Sequence, residues 1–139
     1  IWAVRKDSST TANDHFNFSG ITEPVTGANR DPVDTVTLKL NNQARFDTTE
    51  GRYFRLVQPY QHHTNVPESF VYSYSFALHP EDVQPSGQCN FSRIDNATLQ
   101  LVLSNATVES TKTAKVRVYA TNYNVLRVMS GMGGLAYSN

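Results

Sequence analysis

Three sets of residues have the types and spacing to do chemistry. The first is "SGMGG" at 130–134, glycine-rich like a phosphate-cradling loop. Such a loop needs a strand before it and a helix after it, so that the helix N-terminus meets the anion. Only five residues follow Gly134, and none is a lysine. That leaves no room for a helix, and the glycines read instead as places where backbone turns or packs closely. The second set is His62, His63 and His79, with Glu81 and Asp82 beside the last. Cupin-type metal sites use two histidines one residue apart, then a glutamate, then a distant histidine. Adjacent residues of a strand point to opposite faces, so His62 and His63 could share an ion only from a loop. Polar loop histidines are the plainer reading. The third set comprises the matches to the N-glycosylation pattern, at Asn17, Asn90, Asn96 and Asn105. Asn17 and Asn105 fall in expected loops. Asn90 and Asn96 border a strand, where an Asn side chain also bonds its own backbone.

Nucleophilic chemistry has little to stand on. There is no G-x-S-x-G elbow. Cys89 is the sole cysteine, so it can make neither an internal disulfide nor a zinc site by itself, and it reads as a small, partly buried hydrophobe. Glu81 and Asp82 lie in a proline-flanked turn, the composition of an exposed turn and not of a tuned acid pair. No catalytic residue, metal or cofactor is called for.

These residues must be placed by strands. The chain has 139 residues, enough for one domain with a core. Period-2 alternation dominates, and no amphipathic helix longer than two turns is evident. "IWAVR" is short and apolar. Residues 12–34 carry loop punctuation. "TVTLKL" sets Val36, Leu38 and Leu40 against Thr35, Thr37 and Lys39. "YFRLV" at 53–57 reads as a short strand, and residues 58–67 as a polar crossing. "FVYSYSFAL" at 70–78 sets Tyr72, Tyr74, Phe76 and Leu78 on one face. Leu99, Leu101 and Leu103 share a face, and "KVRVYA" turns Val116, Val118 and Ala120 inward, with strand character continuing through Val128. Five or six strands joined by long polar loops predict an all-β sandwich with Greek-key or jelly-roll crossings.

Charge and hydropathy exclude several partners. Twelve basic residues balance twelve acidic ones. There is no basic excess to neutralise a phosphate backbone, so direct nucleic-acid binding is not expected. Nor is attachment to an anionic membrane surface. No apolar run approaches the roughly 20 residues of a membrane-spanning helix. The chain opens on Ile1 inside what reads as strand, and we expect that it starts at a processing point or a cut in a larger protein.

Two longer stretches are more specific. "YSFALHPEDVQPSGQCNFSRIDNATLQL" at 74–101 and "YATNYNVLRVMSGMGGLAYSN" at 119–139 resemble the C-terminal part of the major capsid protein of large nucleocytoplasmic DNA viruses, most nearly those of algae. "IWAVRK" and "LNNQARFD" at 40–47 also look like family segments, whereas 7–32 and 104–114 are uninformative. The resemblance implies a viral structural protein built as two consecutive jelly rolls, with homotrimers of pseudo-hexagonal outline tiling an icosahedral shell. It implies neighbouring capsomers and minor capsid proteins as partners, no direct nucleic acid, and an internal viral membrane nearby into which the protein is not inserted. It places the chain in the virion. Residues 1–139 would be the later strands of the second jelly roll, incomplete on the N-terminal side. The tail residues Gly131, Gly133, Gly134, Leu135 and Tyr137 would then serve packing or assembly, the glycines turning Leu135 and Tyr137 onto a neighbouring surface. The neutral charge suits subunits that pack edge to edge without mutual repulsion. The alternative is a carbohydrate-binding jelly roll, in which an exposed tyrosine such as Tyr60 stacks on a sugar.

Overall fold

A computed structural model describes residues 1–20, 30–108 and 111–137. In chain order these form β1 (Trp2–Lys6), α1 (Asp7–Thr11), β2 (Val33–Leu40), β3 (Gln43–Glu50), a π-helical turn (Tyr53–Val57), α2 (Gln58–His62), β4 (Val71–Tyr72), a 3₁₀ turn (Phe91–Arg93), β5 (Ala97–Leu103), β6 (Ala114–Val118), β7 (Leu126–Met129) and β8 (Met132–Leu135). Three antiparallel sheets result, in the orders β4-β1-β6, β3-β2-β5 and β7-β8.

The alternation in "TVTLKL" makes β2 the centre of its sheet. Val33 and Val36 are both buried although three residues apart, an odd separation that strict period 2 would send to opposite faces. A register shift against β5 between Val33 and Thr35 resolves this: the extra residue rotates the strand so that both valines face the core. The β2–β3 hairpin turns on Asn41 and Asn42, at φ 51° and 66°. Two consecutive left-handed residues give the primed turn whose twist matches that of the strands, and asparagine tolerates that conformation. The side-chain oxygen of Asn41 accepts from the backbone of Asp95 (3.0 Å) and Asn96 (3.3 Å), which fixes the hairpin to the start of β5.

The core is Trp2, Val4, Val33, Val36, Phe54 and Tyr72, with Phe46, Tyr53, Tyr74 and three leucines of β5 packed around it. Each such side chain, if fully buried, contributes about 1.5–3 kcal/mol. Aromatic rings supply much of the contact. Trp2 lies parallel to Tyr72 at 5.9 Å and tilted to Phe54 at 5.5 Å, and Phe54 in turn meets Phe46 and Tyr53, each at 5.1 Å. The row continues outward through Tyr74, Phe76 and Phe91.

Three sequence expectations are corrected. "YFRLV" is helical, not a strand, and the expected polar crossing begins as α2. Burial there falls on Phe54, Gln58 and Pro59, while Leu56 and Val57 are exposed. The buried positions follow a helical period, and the need to plug the core with Phe54 overrides the strand propensity of Tyr, Phe and Val. "FVYSYSFAL" pairs only at Val71 and Tyr72. Beyond them Ser73 donates its backbone N–H to Phe54 O (3.0 Å), and the Ser75 hydroxyl bonds both the N–H and the C=O of Ala77. Those local bonds draw the backbone away from the ladder while Tyr74 and Phe76 keep their places in the aromatic row. Finally, Val116, Val118 and Ala120 are exposed, although they were expected inward.

Candidate assembly surface

The exposed valines define the surface. Directly opposed residues of an antiparallel pair share one face. Trp2 is opposite Val118 and Val4 is opposite Val116. Trp2 and Val4 are 3% and 1% exposed, yet Val118 and Val116 are 62% and 42% exposed. The core face therefore runs on across β6 with little over it among the described residues. The outer edge of β6 has no strand partner among the described residues, so its backbone donors and acceptors are also open.

The β7–β8 hairpin extends the same apolar character. Its turn is Ser130 and Gly131, at φ 51° and 77°, again the primed geometry. Asn124 closes the other end. Its side-chain oxygen accepts from Val125 (2.8 Å) and Tyr137 (3.2 Å), and its amide donates to Tyr137 O (2.9 Å). The register is Leu126 opposite Leu135, Arg127 opposite Gly134, Val128 opposite Gly133 and Met129 opposite Met132. One face thus carries Leu126, Leu135 and Val128, and the other carries Met129, Met132 and Arg127. All five apolar side chains are largely exposed. A two-stranded hairpin is marginal alone in water, so this one requires a covering surface. The hydroxyl of Tyr123, just ahead of it, donates to Asp82 O (3.2 Å) and steers its root.

The hairpin refines the expectation for "SGMGG". Gly131 makes the turn. Gly133 and Gly134 lie in β8, where an added Cβ would meet nothing within 4 Å. They leave flat lanes beside Val128 and Arg127. The strand character through Val128 does not complete either three-stranded sheet: residues 119–125 interrupt it, and among the described residues β7 pairs only with β8.

The helical segment is held on the sheet by a polar network. Arg55 donates from Nε and Nη2 to the two oxygens of Asp31, at 2.7 and 2.8 Å. The Tyr72 hydroxyl donates to Asp31 Oδ1 at 3.0 Å. Burial, followed by the adjacent Asp31 charge and that hydrogen bond, pushes the Tyr72 phenol far above its ordinary range. Gln58 bridges the Tyr53 hydroxyl and the backbone of Ser75. Above this network lies a polar cleft of about 850 Å³, lined by Asp34, Glu50, Arg52 and Asn105 among others, with no aromatic ring in its wall. A sugar-stacking platform is thus not found there. Tyr60 is exposed, but it pairs with no other ring among the described residues.

The histidines are not brought to one point. His62 Nδ1 contacts Leu78 O (2.9 Å) and His63 Nδ1 contacts Glu81 Oε1 (3.2 Å). Glu81 also accepts from the hydroxyl and N–H of Thr64, and the hydroxyl bond is the main cause of its lowered pKa. These contacts pin residues 62–64 to 78–81. No group of three potential metal ligands occurs among the described residues. Cys89 is half-buried.

The four sequons differ. The Asn17 amide donates to Asp14 (2.7 Å), its oxygen accepts from Ser19, and Ser19 is buried. Asn90 and Asn96 are exposed, with their side-chain oxygens accepting from Ser92 N (3.0 Å) and from the Thr98 hydroxyl (3.2 Å). Asn105 is exposed in a turn, while Thr107 of the same sequon is fully buried against Ser104.

Sequence reading missed β3, the turn at Asn41 and Asn42, and the pairing of β7 with β8, although it read the glycines of "SGMGG" as turning the backbone. The signals were present: "LNNQ" and "MSGM" each put turn formers between strand-forming residues.

Comparison with known proteins agrees with this geometry. Residues 1–134 match the family model described as large eukaryotic DNA virus major capsid protein. The chain is 74% identical over 108 residues to the major capsid protein of Phaeocystis pouchetii virus, and 75% identical over 108 residues to that of Chrysochromulina ericina virus. Both matches cover 78% of the chain, but only 21% and 18% of those proteins, so it spans about a fifth of their length. Among solved structures, it matches PBCV-1 VP54, as fitted into a cryo-EM reconstruction of the virophage Sputnik, with a TM-score of 0.65 and 47% identity. That match covers 77% of this chain and 30% of VP54, and a quasi-atomic model of the PBCV-1 virus capsid matches equally well. The chain belongs to the large eukaryotic DNA virus major capsid protein family. Its fold is all-β and corresponds to part of a double jelly-roll β-sandwich. The named relatives are major capsid proteins, structural components of the virion capsid.

Proposed function

We propose that this chain is the later part of the second jelly roll of a major capsid protein, and that the protein forms trimeric, pseudo-hexagonal capsomers that assemble into an icosahedral shell. The observation that carries this is the uncovered core face on β6, with Val116 and Val118 standing beside buried Val4 and Trp2. A sheet ends this way where another layer covers it. The β7–β8 hairpin, apolar on both faces, is the second surface that needs a partner. In this reading both are buried within the capsomer, through Leu135, Tyr137 and the flat lanes at Gly133 and Gly134. Neighbouring capsomers and minor capsid proteins complete the shell. The protein contacts neither genome nor bilayer core: its charge is balanced, and no helix among the described residues is long and apolar enough to cross a membrane. Any sugars carried at Asn90, Asn96 or Asn105 lie on exposed turns and strand ends.

Native mass spectrometry of the full-length protein tests the oligomer, and electron microscopy of particles tests the lattice. The expected species is a trimer that recurs on an icosahedral lattice. Deleting residues 131–139 should abolish or strongly weaken the trimer. A monomer that never enters a shell, or a truncated protein that trimerises as well as the parent, would overturn the proposal.

A further inference from the structure

The reverse face of β1–β6 has a different character. Ala3 and Arg5 of β1 share it with Lys115 and Arg117 of β6, and Tyr119 continues the same alternation. Ala3 is opposite Arg117, and Arg5 is directly opposite Lys115. Like charges in directly opposed positions destabilise a sheet. Here three cations occupy one small face of a chain with no net charge. Residues 15–18 lie against them: Arg5 Nη1 donates to His15 O at 3.2 Å, and Phe18 walls the same side. The result is a cleft of about 70 Å³, walled by Arg5, Lys115, Arg117, Phe18, Tyr119 and Ala3.

The facing acids do not neutralise it. Asp7 approaches Lys115 only at 3.9 Å, and its other oxygen is taken by the Thr113 hydroxyl at 2.6 Å. Asp14 is held by Asn17. Arg117 has no ion-pair partner among the described residues. Arg5 spends one donor on His15, and a guanidinium has five. Charge selects the ligand: three cations around so small a cleft suit a tetrahedral oxyanion. Such an anion carries close to two charges at neutral pH and several strong acceptor oxygens, and guanidinium groups present matching paired donors. The alanine opposite Arg117 leaves space beside the guanidinium, and the cleft is reached from solvent along exposed Lys115, Arg117 and Tyr119.

We propose that this cleft binds a phosphate group. The experiment uses full-length protein at low ionic strength. Sodium phosphate is titrated against sodium chloride of equal ionic strength, and thermal unfolding and titration calorimetry are recorded for the parent, Arg117→Gln and Lys115→Gln. Phosphate should raise the unfolding midpoint where chloride does not. Each substitution should weaken phosphate binding about tenfold without lowering the midpoint in chloride, and Lys115→Gln, which removes the charge opposed to Arg5, should raise that midpoint slightly. Sedimentation with phosphatidylcholine vesicles, with or without phosphatidate, separates the sources. Retention on phosphatidate vesicles that phosphate competes away marks a lipid headgroup. Phosphate binding without retention marks a free anion. No phosphate response above chloride, or equal binding by parent and both variants, overturns the proposal.

Discussion

Replacing Asp31 by asparagine should loosen the helical plug from the sheet. Asp31 and Arg55 are 15% and 18% exposed at their side chains, and they meet through two parallel hydrogen bonds. Tyr72, fully buried, donates to the same carboxylate. The amide oxygen can still accept from Arg55 Nε and the Tyr72 hydroxyl, as Oδ1 does now, but the amide nitrogen would set a donor against Arg55 Nη2 and the carboxylate charge would be gone. The guanidinium would keep one hydrogen bond and its stacking over Phe70, at 4.7 Å from the ring centre. Exposed ion pairs contribute about 0–1 kcal/mol, whereas breaking a buried pair costs about 3–5 kcal/mol. At this exposure we expect about 2–4 kcal/mol, a sizeable part of the roughly 5–15 kcal/mol that holds a domain together. Hydrogen–deuterium exchange reads this locally in the intact protein. Amides of residues 53–62 should lose protection by about 30-fold to several hundred-fold, while those of the β2–β5 ladder change far less. Arg55→Gln should have a similar effect, and the double variant should be well short of additive. If each single variant cost under about 1 kcal/mol and the two simply added, the network would not be what holds the segment.

Further outcomes follow from the same contacts. Gly51 is buried, and a Cβ there would lie 2.3 Å from the Val33 carbonyl oxygen. Gly51→Ala should therefore cost about 1–3 kcal/mol or more, seen as a lower urea midpoint. Tyr72 stays neutral in the folded protein after an unfolded tyrosine ionises near pH 10. Its contribution is fully present below that pH and declines as pH rises further, by about 1.4 kcal/mol per unit until the folded phenol also ionises. Tyr72→Phe should flatten that alkaline slope in urea titrations between about pH 9 and 11.5. An unchanged slope would show that other groups govern it.

Much of the β architecture was legible because apolar and polar residues alternate along it. Period 2 marked β2, β5 and β6, a short apolar run marked β1, and two long stretches near the C-terminus marked the family. Legibility failed where a residue's partner lies far along the chain. "YFRLV" carries strand propensity, but Phe54 is needed between Trp2 and Phe46, and Arg55 must reach Asp31. Neither demand is visible in five consecutive letters. The phosphate cleft was missed for the same reason, since Arg5 and Lys115 become neighbours only through the β1–β6 register.

By itself the sequence determined which side chains alternate, where asparagine and glycine allow left-handed turns, and which family the chain resembles. These are local or accumulated signals, set by backbone sterics and by the periods of strand and helix. Tertiary structure alone decided which apolar face is covered. Val4 and Val116 are the same residue type on the same face of paired strands, yet one is buried and the other open. Burial depends on what lies across from a strand, and no pattern along the chain contains that.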